Sequence, residues 1–114
     1  KVAAPNPDFY SYTVSKLGLA GLTELQARAL APNIRVNGIA PSVTLVSGPQ
    51  TRENFDRAHV YNPLRRGVLV EHVVMTMQYL IALPTLTGQV IVLDAGQRML
   101  GMPRDVAFMV GEGA

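Results

Sequence analysis

The longest periodic segment of the chain runs from about residue 9 to residue 30 and predicts a helix. It is rich in Leu, Ala, Glu, Gln and Lys, which are good helix formers. Its apolar positions recur at the intervals of one helix face, at Leu17, Ala20, Leu25 and Ala29. Turn-forming residues precede it at 5–8, and Pro32 stops it.

Two shorter apolar segments have the pattern of strands. Residues 34–39 alternate in polarity, and Pro41 cannot continue a paired ladder, so we expect a loop from Ala40 to about Pro49. Residues 89–93 form a continuous apolar run between a glycine and an aspartate. Such a run is typical of a strand covered on both faces of a parallel sheet.

The remaining pattern predicts a short helix over 51–59 and a second clear helix over 70–82, with Pro84 just beyond its end. In the segment that follows residue 97, an apolar patch at 106–110 predicts either a turn of helix or a strap. Alternating helices and strands indicate an α/β fold. Two strands are too few to bury both faces of such segments, so part of the sheet is expected to be missing.

Composition narrows the possible chemistry. The chain is 48% hydrophobic and 16% charged, which is typical of a globular core. The absence of cysteine excludes disulfides and thiolate chemistry, and two distant histidines, His59 and His72, make a poor metal set, so no metal is expected and both histidines are placed on helix surfaces. The net charge of +2 is scattered, which argues against nucleic acid as a partner.

Hydropathy gives no sign of a membrane segment. No apolar run reaches the roughly 18 to 20 residues of a membrane span, and the first residues lack a charged segment followed by an apolar one. We therefore expect a cytoplasmic protein without a membrane partner.

The chemistry is concentrated in Tyr12 and Lys16. Four-residue spacing places the phenol and the ammonium on one face of a helix. An ammonium favours the phenolate form of a neighbouring tyrosine, which suits proton exchange with a carbonyl, imine or alcohol. Tyr10 is an alternative acid, but its position turns it away from Lys16. Such spacing is common by chance, so a pair of unrelated surface residues is the alternative interpretation.

Three segments, in this order, resemble the short-chain dehydrogenase/reductase family. Residues 12–23 (YTVSKLGLAGLT) are similar to its active-site helix, and residues 29–41 (ALAPNIRVNGIAP) to the strand and loop beside the nicotinamide. Residues 86–96 (LTGQVIVLDAG) are similar to its last strand and the turn after it. The resemblance covers residues 9 to 97 and implies the C-terminal half of a Rossmann-like, doubly wound parallel sheet.

The resemblance also implies roles for particular residues. Tyr12 would be the general acid in reduction or the base in oxidation, while Lys16 would favour its phenolate and hold the nicotinamide ribose. The loop that meets the nicotinamide would be Pro41, Ser42, Val43 and Thr44, with the Thr44 hydroxyl near the pyrophosphate. Phe9 and Leu45 would line the substrate site, although a core aromatic is an equal interpretation of Phe9.

The chain departs from the family pattern in two places. The usual Pro-Gly is Pro41-Ser42, and the usual Asp-Gly-Gly is Asp94-Ala95-Gly96. Ser42 brings a side chain to a position where glycine has unrestricted backbone angles, which would weaken cofactor binding. However, Ala-Pro-Ser also resembles the pterin-reducing branch, the dihydromonapterin and pteridine reductases. The resemblance therefore implies a pterin or another small carbonyl or imine compound as the substrate, and NADP or NAD as the cofactor, with NADP favoured by this branch.

The family's glycine-rich turn and Asn-Ala-Gly segment are absent, and the sequence starts at Lys1 without a methionine. We expect the N-terminal nucleotide-binding half to lie elsewhere in the gene product or in a companion chain. Residues 1–97 would form the C-terminal half of the oxidoreductase domain, and 98–114 a tail available to a neighbouring subunit. The isolated chain would be inactive.

The complete protein would be an NAD(P)-dependent oxidoreductase, assembled as a dimer or tetramer through the active-site helix. The alternative is a catalytically dead structural or oligomerisation module.

Overall fold

A computed structural model describes residues 1–111, so the last three residues of the predicted tail lie outside the described part of the chain. The helices are α1 (Tyr10–Leu30), α2 (Arg52–His59) and α3 (Val70–Ala82). The strands are β1 (Gly38–Pro41) and β2 (Val90–Leu93). Two 3-10 turns follow, Gln97–Leu100 and Val106–Phe108. Helices alternate with strands as the sequence predicts, and the predicted bounds of α3 are confirmed.

The sheet consists of β1 and β2, paired in parallel from Gly38 opposite Val90 to Pro41 opposite Leu93. The expectation of a loop from Ala40 was wrong, because Ala40 and Pro41 both pair with β2 and Pro41 is the last residue of the ladder. Gly38 donates its N–H to the carbonyl of Gln89, directly before β2, and Ser42 donates to the carbonyl of Leu93 at the end of β2, each over 2.8 Å. Since alternate N–H groups of a strand point to opposite sides, the N–H that Pro41 lacks would face away from β2.

The strand predicted over 34–39 starts late, at Gly38. Before it, the Gly88 N–H donates to the Val36 carbonyl over 2.7 Å, but the neighbouring bonds are made by side chains. Val36 donates its N–H to the Thr87 hydroxyl over 3.2 Å. Asn37 accepts from the Gln89 N–H over 3.1 Å and donates its amide to the Leu86 carbonyl over 2.9 Å. An alternating pattern cannot distinguish this side-chain pairing from a backbone ladder.

The Arg35 guanidinium connects the approach to β1 with the end of α3. Its Nη1 donates to the carbonyls of Leu80 and Leu86, each over 2.9 Å, and its Nη2 donates to Ile81 over 3.2 Å. The last carbonyls of a helix have no partner within the helix. A single side chain thus satisfies two of them and fixes the segment that leads into β2.

Helix α2 is anchored through Asn54, which is fully buried. Its N–H is capped by the Thr51 hydroxyl over 3.2 Å, and its Oδ1 accepts from Gln50 over 2.8 Å. Its Nδ2 donates to the carbonyl of Ala107 over 2.8 Å, which ties the C-terminal segment to α2. Buried amides need such partners, so this asparagine fixes the two elements against each other.

The two histidines differ in how far they are buried. His72 is exposed, as predicted, and accepts the Leu69 N–H on its Nδ1 over 3.0 Å at the start of α3. The prediction of a surface position was wrong for His59, which is half-buried. Its ring stacks on Phe55 at 4.8 Å between centroids, and its Nε2 lies 2.8 Å from the Val68 carbonyl oxygen.

Helices α1 and α3 leave much of their apolar surface exposed. Within residues 1–111, α1 buries only Thr13, Thr23 and Ala27, and α3 buries only Leu80. The exposed apolar side chains of these helices include Leu17, Leu22, Leu25, Val74, Met77 and Ile81. In the described part of the chain, no helix combines the length and the apolar character needed to cross a membrane.

Candidate active site

A cavity of about 700 Å³ opens at the carboxyl ends of the two strands. Its walls come from the start of α1, the loop after β1, the turn after β2 and the segment 101–110, which we call the C-terminal strap. In parallel α/β sheets, ligands bind at this edge. The cavity therefore lies where the fold places a functional site.

The chain enters α1 through a left-handed residue. Phe9 has φ of 53° and ψ of 55°, a conformation that costs a non-glycine residue about 1–2 kcal/mol. Two bonds to Thr13 hold it: the Thr13 N–H donates to the Phe9 carbonyl over 2.8 Å, and the hydroxyl donates to the Asp8 carbonyl over 3.2 Å. Phe9 is half exposed and lines the cavity, so the interpretation as a core aromatic was wrong.

Tyr12 lies one turn into α1, and its side chain lines the cavity with 54% of its surface exposed. The Lys16 ammonium is 5.4 Å from the centre of the Tyr12 ring, and Lys16 is half-buried and is not among the residues that line the cavity. Tyr10 is 74% exposed and is not among the residues that line this cavity. The start of α1 thus presents one phenol to the cavity, with a cation beside it.

The loop after β1 forms the facing wall, and all its predicted site residues line the cavity: Pro41, Ser42, Val43, Thr44 and Leu45. The Thr44 hydroxyl donates to the Ser42 carbonyl over 2.7 Å and so closes the turn. The non-glycine residues with positive φ among those described are Phe9, Arg65 and Ala95. Ser42 therefore has backbone angles open to any residue, and the expected effect of its side chain on cofactor binding stays a prediction.

The backbone is strained in the turn after β2, where alanine stands in place of the family's usual glycine. Ala95 has φ of 50°, and Gly96 follows at 84°. Asp94 is nearly buried and holds this turn by accepting from the N–H groups of Gly96 and Arg98, each over 2.9 Å, and from Arg98 Nη1 over 2.8 Å. Asp94 and Arg98 both line the cavity. Sequence reasoning missed both residues, although a carboxylate directly after a buried strand signals this position.

The C-terminal strap supplies the fourth wall, which sequence reasoning also missed. Asp8 accepts from Arg104 Nε over 2.8 Å, from Arg104 Nη2 over 2.9 Å and from the Asp105 N–H over 2.8 Å. The hydrogen bonds from Arg104 and Asp105 lower the pKa of the Asp8 carboxyl below its usual value, and the same carboxylate raises the pKa of Arg104. Asp105 in turn pairs with the Lys1 ammonium at 3.1 Å.

Two aromatic rings meet where the strap reaches α1. Phe108 stacks against Phe9 with 5.7 Å between ring centroids and 22° between planes. Both rings line the cavity. In the sequence, Phe108 was visible only as part of the apolar patch predicted at 106–110.

The described residues offer no metal centre: within 1–111, no group of three or more histidine, cysteine, aspartate or glutamate side chains is placed to hold an ion.

Comparison with known proteins gives consistent matches. The family model described as enoyl-(acyl carrier protein) reductase matches residues 1–98. The short-chain dehydrogenase/reductase homolog YusR of Bacillus subtilis is 36% identical over 89 residues, which cover 77% of this chain and 69% of that protein. The dihydromonapterin reductase of Escherichia coli is 30% identical over 89 residues, which cover 78% of this chain and 37% of the enzyme.

Among solved structures, FolM alternative dihydrofolate reductase 1 from Brucella suis, crystallised in complex with NADP, matches with a TM-score of 0.76 and 44% identity. The match covers 80% of this chain and 37% of that protein, so the chain spans little more than a third of this reductase and of the Escherichia coli enzyme. The predicted α/β, Rossmann-like fold class is confirmed, and so is the likeness to the pterin-reducing branch.

Proposed function

Because the chain belongs to the short-chain dehydrogenase/reductase family, we propose that the complete protein is an NADPH-dependent reductase of a dihydropterin. One observation carries the proposal: a helical phenol with an ammonium beside it faces a cavity at the carboxyl ends of two parallel strands. Two of its relatives are named as dihydromonapterin and dihydrofolate reductases, and one of them was solved with NADP, which supports both the substrate class and the cofactor.

The described residues fit one end of such a nucleotide. Loop 41–44 lines the cavity beside Tyr12, and the Lys16 ammonium is a donor suited to a ribose hydroxyl. The sequence holds no glycine-rich turn between a strand and a helix, the usual pyrophosphate site. We therefore assign pyrophosphate binding to a part of the gene product, or of a companion chain, outside these residues. When bound, the nicotinamide supplies the hydride.

Tyr12 donates the proton in this scheme. Its hydroxyl delivers a proton to the nitrogen or oxygen of the substrate that gains negative character during reduction. The Lys16 ammonium lies 5.4 Å from the centre of the Tyr12 ring, so a positive charge is close to the ring that gives up the proton. The apolar side chains of Phe9, Leu45 and Phe108 line the same cavity as Tyr12 and offer the substrate an apolar surface.

Steady-state kinetics of the complete gene product test this function. We expect NADPH oxidation with a 7,8-dihydropterin, and a kcat/KM at least about 10-fold above that for a small aliphatic ketone, since the cavity wall contributes contacts only to the larger ring. Substituting NADH for NADPH in the same assay measures the cofactor preference.

A complete protein that binds NADPH but oxidises it with none of these substrates would contradict the proposal. That result would favour the catalytically inert module. In that case the chain would act in subunit association, through the exposed apolar faces of α1 and α3.

We also propose that the protein assembles as a homodimer or homotetramer through α1 and α3. Six exposed leucine, isoleucine, valine and methionine side chains on these helices give each a broad apolar face: Leu17, Leu22, Leu25, Val74, Met77 and Ile81. Exposed apolar surfaces of this extent are typical of subunit contacts.

A further inference from the structure

The C-terminal strap is attached to its own chain on both sides of the cavity. On one side, the Asp8 carboxylate binds the Arg104 guanidinium and the Asp105 N–H. On the other side, Asn54 Nδ2 donates to the Ala107 carbonyl over 2.8 Å, and Arg57 Nε donates to the Val110 carbonyl over 2.7 Å. The strap therefore bridges the start of α1 and helix α2 across the cavity rather than extending away from the domain.

The same attachment fixes two aromatic rings. Asp8 directly precedes Phe9, and the Arg104 guanidinium lies 4.7 Å from the centre of the Phe108 ring. The ion pair between Asp8 and Arg104 thus holds the strap close to the start of α1. The two stacked rings, Phe9 and Phe108, lie on either side of this contact. Tyr12 follows Phe9 by one turn of α1 and lines the same cavity.

We propose that the C-terminal strap selects the substrate of this subunit's own site, with Phe108 contacting a flat aromatic ring and the Asp8 and Arg104 pair positioning it. Phe108 keeps 42% of its surface exposed while it lines the cavity, so part of its ring is available to a ligand. An aromatic ring prefers an offset or edge contact with another flat ring, and gains little from a small aliphatic carbonyl compound. The inference rests on the proposed function and adds the residues that choose the substrate class.

The alternative is that the strap only stabilises the fold. Loss of a stabilising strap would lower turnover of every substrate by the same factor. Loss of a selecting wall would change the ratio of kcat/KM between an aromatic and an aliphatic substrate. It would raise the KM for the aromatic substrate and leave the KM for NADPH unchanged.

The test uses Phe108→Leu and Arg104→Gln in the complete gene product, assayed with a 7,8-dihydropterin and with a small aliphatic ketone. We expect each variant to lower the preference for the dihydropterin by roughly 3- to 10-fold, the size of one aromatic contact, mainly through KM. Phe108→Tyr keeps the ring and should keep the preference.

Arg52→Gln is the matched control for Arg104→Gln. Arg52 is also an exposed arginine, paired with Asp56 over 3.0 Å and lying 5.4 Å from the centre of a phenylalanine ring, but it is not among the residues that line the cavity. We expect no change in preference for this variant.

A measurement without mutation covers the case in which a variant fails to fold. Amide hydrogen exchange of residues 104–110 should slow when a dihydropterin is added to the complex with NADP, and should not change on addition of the ketone. An unchanged preference in Phe108→Leu, or unchanged exchange in the strap with dihydropterin bound, would overturn the inference while the reductase function stands. A wild-type protein that turns over the ketone but no dihydropterin would overturn the proposed function and this inference together.

Discussion

Replacing Tyr12 with phenylalanine in the complete gene product is expected to lower kcat by about 10²- to 10⁴-fold, the usual contribution of a positioned general acid. Only the hydroxyl is removed, and the ring that lies 5.4 Å from the Lys16 ammonium remains. The affinity for NADPH, measured by fluorescence titration, should therefore stay nearly the same. Loss of kcat without loss of nucleotide affinity is the signature of a missing proton donor.

Tyr10→Phe is the matched control for Tyr12→Phe, because it removes the same hydroxyl two residues earlier on α1. Tyr10 is more exposed than Tyr12 and is not among the residues that line the cavity. We expect its turnover to match the wild type. Full activity in Tyr12→Phe, or a large loss in Tyr10→Phe alone, would show that the proton comes from elsewhere.

Replacing Arg35 with methionine is expected to lower the free energy of unfolding of the complete protein by about 2–3 kcal/mol, because three carbonyl groups lose a charged donor. Methionine keeps much of the length of the side chain and removes the fork of N–H groups. Urea unfolding followed by circular dichroism gives the difference in stability.

Arg28→Met is the control for Arg35→Met. Arg28 pairs with Glu24 on the exposed surface of α1, at 2.9 Å with both side chains mostly in solvent. Such a pair contributes about 0.5 kcal/mol or less. Equal losses in the two variants would mean that the carbonyl groups around Arg35 find other partners, and that this residue does not fix the end of α3.

Local sequence patterns predicted the elements whose bounds depend on residues close together in the chain. The apolar run of α3 and its terminal proline gave its bounds without error, and α1 begins one residue later than expected. That residue is Phe9, whose left-handed conformation depends on bonds to Thr13 and on the strap. The start of β1 was missed because Asn37 and Thr87, which lie 50 residues apart in the chain, replace part of the expected backbone ladder with side-chain bonds.

The residues of the candidate site also fall into two groups, those that the sequence predicts and those that only the fold brings together. Tyr12, Lys16 and loop 41–45 belong to short motifs, and the sequence was enough to single them out. The strap was not predicted as a wall of the cavity, because its contact with α1 joins Asp8 to Arg104 across 96 residues. Neither residue has a distinctive neighbourhood in the sequence. Only the folded chain brings them together, and with them the two phenylalanine rings.

The most direct measurement is a crystal structure of the complete gene product with NADPH bound. We expect the nicotinamide ring to lie in the cavity between Tyr12 and loop 41–45, with the Lys16 ammonium about 3 Å from a ribose hydroxyl oxygen. A nicotinamide bound away from this cavity, or a Tyr12 hydroxyl directed away from the ring, would contradict it.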